Sequence, residues 1–319
     1  MLLRRIVVSI CPVWLVLASA GTACSQEYPA KPIRIVAGSP GGGSDLVARM
    51  IAQGISGSLG QPLTVENRSG IVQTETAARA LPDGHTLLVQ SGALWILPLM
   101  RETSYDSVRD LAPITLIERS VEVVIVHPSL PVKSVKDLIS LARAKPGEIN
   151  YAASGPGSTS HLAAELFKSM AGARIVHVPY KGSGPALNAL IGGEIQMMVA
   201  SAPSVSPHLK SGRLRALAIT SAEPSVLAPG LPTVAASGLP GYAIVGVSGM
   251  SAPAKTPAAI IKLLNDVVVR FLRMPETREK FLSAGSEVVG NSPDEFGTYI
   301  KSEIVKLGKV IKEAGIRAD

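Results

Sequence analysis

Ile33-Arg34-Ile35-Val36-Ala37 runs directly into Gly38-Ser39-Pro40-Gly41-Gly42-Gly43-Ser44-Asp45, and an amphipathic stretch follows at once. The β-branched apolar run reads as a strand, and the glycine- and serine-rich turn behind it reads as the entry to a helix. Ser44 is placed to cap that helix, whose apolar face is Leu46, Val47, Met50, Ile51, Ile55 and Leu59 and which stops at Gly60 before Gln61-Pro62. A strand, a glycine turn and a helix in this order aim backbone N–H groups and the positive end of a helix dipole at an anion.

The same alternation continues outward along the chain. Strands are expected over 63–66, 86–90, 121–126, 149–153, 174–178, 195–199 and 214–220, with helices over 135–145, from about 160 to 171, and from Pro185 onward. Thr256-Pro257 and Ser292-Pro293-Asp294-Glu295 each place a capping oxygen beside a proline or acid and open two C-terminal helices. Strands alternating with helices predict an α/β fold. Two such series with a helical tail suit two lobes, with 26–122 and 250–319 in the first and 123–249 in the second. The extended runs over 121–127 and 243–249 are the expected crossings between them.

Upstream, Arg4 and Arg5 precede an apolar run over 6–20 and then small residues up to Ser25. This is the pattern of a secretory signal peptide, too short for a stable membrane anchor. The expected cut follows Ser25. A cut after Ala23 and lipidation of Cys24 are the alternatives, although Gly21 stands where a lipid-attachment signal usually carries leucine. Cys11 and Cys24 are the only cysteines, so the exported chain is expected to rely on an apolar core rather than disulfides. At 319 residues with 46% hydrophobic content it can build one. Losing Arg4 and Arg5 lowers the formal net charge from +7 to +5, a modest positive field that suits anionic small molecules or serves solubility alone. No dense basic run with interleaved aromatics marks a nucleic-acid surface.

Enzyme signatures are missing. No Lys-Ser or Lys-Thr follows a glycine at Walker spacing, and there is neither a dinucleotide-type Gly-x-Gly-x-x-Gly before a helix nor a Gly-x-Ser-x-Gly elbow. The five histidines are scattered; His161 and Glu165, one helical turn apart, could share a metal, but helix-start polarity explains them more simply. A second turn, Ser154-Gly155-Pro156-Gly157-Ser158-Thr159-Ser160-His161, repeats the opening arrangement in the other series. Each turn alone reads as ordinary capping. Two at matched positions point to a ligand held outside the carboxyl ends of the strands.

Tyr28-Pro29-x-Lys31-Pro32-Ile33, Pro40-Gly41-Gly42 with Asp45-Leu46-x-Ala48-Arg49, Leu59-Gly60-Gln61-Pro62 and Val65-Glu66-Asn67-Arg68-x-Gly70 resemble the Bug family, periplasmic receptors of tripartite tricarboxylate transporters. Later blocks do too: Pro82-Asp83-Gly84-x-Thr86-Leu87, Pro146-Gly147-x-x-x-Tyr151-Ala152, Gly157-Ser158-x-x-His161-Leu162 and Val178-Pro179-Tyr180-Lys181-Gly182. The resemblance implies a type II periplasmic binding-protein fold, two α/β lobes joined by two crossing strands. It implies a small carboxylate ligand, no catalysis, no cofactor or metal, a monomer, and delivery to integral membrane transporter subunits from the periplasm. The binding positions it implies are Gly41, Gly42, Gly43, Ser44, Asp45, Ser91, Ser154, Gly157, Ser158, Thr159, Tyr180 and Ser201, with Asp45 better explained as a helix-start acid and Lys181 as a rim charge. Rival readings are an orphan receptor that presents its ligand to a sensor, and a secreted α/β enzyme.

The chain departs from the family pattern where the pocket should be. Gly38 replaces an aromatic, Ile71 to Glu75 replace a glycine-rich stretch, Ala200 or Ser201 stands where an acid is frequent, and Val247-Ser248 replaces a tryptophan. These departures predict a roomier, less acidic pocket that disfavours amino acids and suits a bulkier or more apolar carboxylate.

Overall fold

The structure, a computed structural model, describes residues 28–68, 70–155 and 157–317. The leader, with its cleavage and lipidation positions, and Pro156 of the second turn lie outside the described residues.

The opening strand forms as β1 (Ile33–Ala37), with Ile33, Ile35, Val36 and Ala37 fully buried. Burial on both faces is what a parallel strand between helical layers needs. β1 pairs in parallel with β2 (Leu63–Asn67) and β3 (Thr86–Ser91). Each of these strands feeds a helix: α1 (Gly43–Leu59), α2 (Ile71–Ala78) and α3 (Ala93–Met100). Gly42, not Ser44, is the N-cap of α1, and no side chain caps it. Ser44 falls inside the first turn, so its expected capping role is corrected. The helix ends as expected on Gly60 in the left-handed conformation, φ 64°.

A second parallel set, β5 (Asn150–Ala152), β6 (Val176–His177) and β7 (Met197–Ser201), feeds α5 (Thr159–Ala171), α6 (Ser183–Ile191) and α7 (Ala202–Lys210). The long strand β4 (Leu111–Val126) belongs to both halves. Its residues 111–121 pair antiparallel with β9 (Val245–Pro253), while 122–126 pair antiparallel with β7 and β8 (Arg215–Ile219). β9 in turn pairs with β3, giving the order β2-β1-β3-β9-β4-β7-β5-β6. β10 (Ser286–Val288) adds to β4.

Helix α4 (Val135–Ala144) is capped by Ser134, whose side chain accepts from the Asp137 N–H. α8 (Ala258–Leu272) and α9 (Pro275–Ala284) follow β9. Pro257 is the N-cap of α8 and Thr256 Oγ1 is buried without a partner, so Thr256 does not cap it as the sequence suggested. One apolar cluster joins β1, β3, α1 and α8, and a second lies around β7, α6 and the end of β4. The largest runs through α3, α5, β4 and α10 (Pro293–Ala314), tying both halves together.

Helix α10 carries the capping box read from the sequence: Ser292 Oγ accepts from Glu295 N–H at 3.3 Å and Glu295 Oε2 accepts from Ser292 N–H at 2.8 Å. Ser292→Ala should therefore cost about 1 kcal/mol. Urea denaturation should show a lower midpoint with an unchanged slope.

Candidate ligand-binding site

β1, β2, β3, β5, β6 and β7 all end at one cavity of about 100 Å³ between the two halves, where the first turns of the six following helices converge. Gly42, Gly43 and Ser44 arrive on α1, Gly70 and Ile71 on α2, and Ala93 on α3; Ser158 and Thr159 arrive on α5, Ser183 on α6, and Ser201 just before α7. This is the position that the rule for open α/β sheets assigns to ligands.

The N-caps of α1, α2, α3 and α6 are Gly42, Gly70, Gly92 and Gly182, which have no side chain to occupy the first-turn amides. Ser201, the N-cap of α7, makes no capping hydrogen bond. Of the six, α5 has a capping side chain, Ser158 Oγ accepting from His161 N–H at 3.1 Å, and the first amide of α3, Ala93 N–H, donates to Ser91 Oγ at 3.4 Å. The first turn of a helix has no intrahelical acceptors for its N–H groups, and these groups carry the positive end of the dipole. Thr159 Oγ1 and Gln73 Oε1 in the same wall are buried without partners. No Lys, Arg or His is among the lining residues, so the attraction for an anion comes from backbone and hydroxyl donors.

Of the positions implied by resemblance, Gly42, Gly43, Ser44, Ser91, Ser154, Ser158, Thr159 and Ser201 line this cavity together. Gly41, Asp45, Gly157 and Tyr180 do not. Asp45 is buried and accepts from Gly41 N–H at 2.9 Å and Asn67 Nδ2 at 2.8 Å, with Arg49 Nε at 3.0 Å. Burial alone would raise its pKa, but the hydrogen bonds from Asn67, Gly41 and Arg49 together bring it below the ordinary value. Asp45 thus locks the turn shape and consumes the Gly41 N–H. Tyr180 packs half-buried against the second cluster, and Gly157 turns its N–H to His161 Nδ1 at 3.1 Å. His161 stacks on His177 at 4.7 Å between ring centroids, and Glu165 accepts from Tyr151 OH and Lys168 Nζ.

The expected roominess at Gly38 is corrected. A Cβ there would stand 2.6 Å from Ser44 Oγ and 3.3 Å from Gln73 Oε1, so the space of the missing side chain is already filled. The expected lack of acid is corrected too, because Glu118 and Glu122 of β4 line the cavity at 3% and 5% exposure. Burial raises the Glu118 pKa against hydrogen bonds from Ser248 and Ser286, and burial with the neighbouring Glu118 pushes Glu122 up to about 8. None of the departures from the family pattern falls on β4, the strand that carries both acids. The available signal was the polar spacing of two, Glu118-x-Ser120-x-Glu122, between the apolar stretches Leu116-Ile117 and Val123 to Val126.

The turns of the two halves also touch. Ser39 Oγ donates to the Lys181 carbonyl at 3.2 Å, and a Cβ on Gly182 would collide with the Ser39 side chain.

Residues 47–316 match the family model described as tripartite tricarboxylate transporter family receptor. The chain belongs to that family. Among curated relatives of this receptor family, protein BugT of Bordetella pertussis is 36% identical over 311 residues, covering 94% of this chain and 95% of BugT. R. palustris Rpa4515, solved with adipate, superposes with a TM-score of 0.88 at 36% identity, covering 91% of this chain and 99% of that one. MatC from Rhodopseudomonas palustris, solved with bound malate, gives 0.84 at 28% identity, covering 89% and 100%. The fold is accordingly that of the periplasmic binding proteins, two α/β lobes joined by crossing strands, and the family is one of solute-binding receptors rather than enzymes. Among the described residues no helix is long and apolar enough to cross a membrane.

Proposed function

We propose that this receptor captures a small carboxylate in the cleft between its lobes, in the periplasm, and delivers it to the membrane subunits of a tripartite tricarboxylate-type transporter. The observation that carries the reading is the convergence of six helix starts, three from each half, on a cavity whose lining holds no basic side chain. A carboxylate there accepts from the amides opening α1 and from Thr159, Ser91 and Ser201, with Ser154 and Ser158 bridging through ordered water. Asp45 supports the turn instead of touching the ligand. Contacts from both lobes lower the free energy of the closed form, the form a membrane partner reads. The adipate and malate in the two related structures support the carboxylate class.

A thermal-shift panel of C3–C6 carboxylates tests this. A true ligand at about one hundred times its Kd should stabilise by about 2.7 kcal/mol, roughly 5–10 °C for a chain of this size. No shift from any carboxylate, with native mass spectrometry of the freshly exported protein showing a non-acidic ligand, would sink the reading.

A further inference from the structure

Glu118, Ser120 and Glu122 alternate along β4 and present one polar face to the floor of the cavity. Both carboxyls are almost wholly buried. Glu118 Oε1 accepts from Ser248 Oγ at 2.6 Å and the Ser286 hydroxyl lies beside the same carboxyl, whereas Glu122 Oε2 has no partner among the described residues. The approach of Glu122 depends on Gly246: a Cβ there would stand 2.7 Å from both Glu122 Oε1 and Ser120 Oγ. Among the described residues, no Lys, Arg or His lines the cavity beside the pair. Tyr105 is the one other titratable side chain in the lining; Tyr242, behind Glu122, donates to the Ala163 carbonyl, and Arg119, on the alternate face of β4, lies over the Tyr299 ring. Buried carboxyls without a compensating charge are costly, and proteins keep them where something else supplies that charge.

We propose that Glu118 and Glu122 receive a cationic nitrogen of the ligand, so that the receptor takes a zwitterion: a small unbranched carboxylate carrying an amine at its far end. This rests on the carboxylate reading above. The acid end meets the helix starts, and the ammonium meets the Glu118 and Glu122 carboxyls in the cavity floor, with the Ser120 and Ser248 hydroxyls beside it. Burial holds both carboxyls above their ordinary pKa, and the neighbouring Glu118 adds to the rise at Glu122; a bound ammonium offsets both. The cavity of about 100 Å³ lies well below the 300–1,000 Å³ of sites for drug-sized ligands, which limits the guest to a short chain.

Titration calorimetry on the mature receptor at about pH 8 tests the proposal with two matched sets: 4-aminobutanoate, butanoate and succinate, and 6-aminohexanoate, hexanoate and adipate. Within a set the chain is constant and only the far end changes from ammonium to methyl to carboxylate. The amino member of at least one set should bind tenfold or more tighter than both companions. In Glu122→Gln, and again in Glu118→Gln, its preference over the methyl-ended acid should fall at least tenfold. Binding of succinate or adipate as tight as the amino member overturns the proposal, as does a preference that survives both substitutions, and in either case the carboxylate reading stands. Silence from all six overturns the proposal, and silence from the whole carboxylate panel with a non-acidic ligand in native mass spectrometry overturns both.

Discussion

Replacing Gly157 with alanine is expected to destabilise the receptor by about 2–5 kcal/mol and to abolish its thermal response to ligand. Gly157 adopts φ +72°, where an added Cβ costs roughly 1–2 kcal/mol by itself. Its missing side chain also lies against α3: a Cβ would stand 2.7 Å from Leu97 Cβ and 2.9 Å from Leu97 Cα, besides striking Cδ1. Forcing that contact adds roughly 1–3 kcal/mol. Because two of the three atoms struck belong to Cα and Cβ, Leu97→Ala in the same chain should not restore stability. The loss of ligand response follows from position, since Gly157 immediately precedes Ser158 and Thr159, and Leu97 is itself in the cavity wall. Chemical denaturation of the single and double variants, followed by a thermal-shift titration, measures both effects. Full rescue by Leu97→Ala would show that the turn conformation carries no penalty.

Without ligand, the receptor is expected to lose stability as pH rises from about 5 to about 8, and Glu122→Gln should flatten that loss. Glu122 has its pKa raised from 4.5 to about 8 in the folded protein, first by burial and then by Glu118. An acid with a raised folded pKa keeps its proton in the folded chain after the unfolded chain has released it. The contribution is therefore fully present below the unfolded value and is lost as pH climbs through the folded one. Removing the ionisable group at neutral pH should raise stability by on the order of 2 kcal/mol, roughly 4–8 °C. Melting curves of both proteins across this range decide it. Parallel curves would mean that Glu122 already ionises at no cost in the empty receptor.

Much of the fold was legible because its strands and helices carry clean periods. β1, α1, the Ser292 capping box and the strand–turn–helix repeats follow from local chemistry that tertiary packing did not override. α3 escaped because Leu94, Trp95, Ile96 and Leu97 are all buried and leave no polar face to give a helical period, with Pro98 inside the helix as well. α7 escaped because its Ala-Pro-Ser-Val-Ser-Pro run, with Pro207 within the helix, reads as a turn. The residues flanking the glycine turns that line the cavity were legible because helix starts and small residues share a sequence signature. Tyr180 was misplaced because nothing local tells which side of a strand end faces the other lobe. Glu118 and Glu122 were missed for a different reason: a strand buried on both faces hides which of its residues meet a cavity formed by chain segments over a hundred residues away.

Strand β4 changes partners between Val121 and Glu122, leaving β9 for β7 and β8. A rotation of one half against the other about these shared strands displaces atoms in proportion to their distance from the axis, so the two glutamates move least and the helix starts sweep furthest. The floor is thus already assembled when the cleft stands wide. Under the proposed binding mode, capture has an order in time: the first grip is taken at the pivot, and the swinging rims arrive afterwards to complete the enclosure.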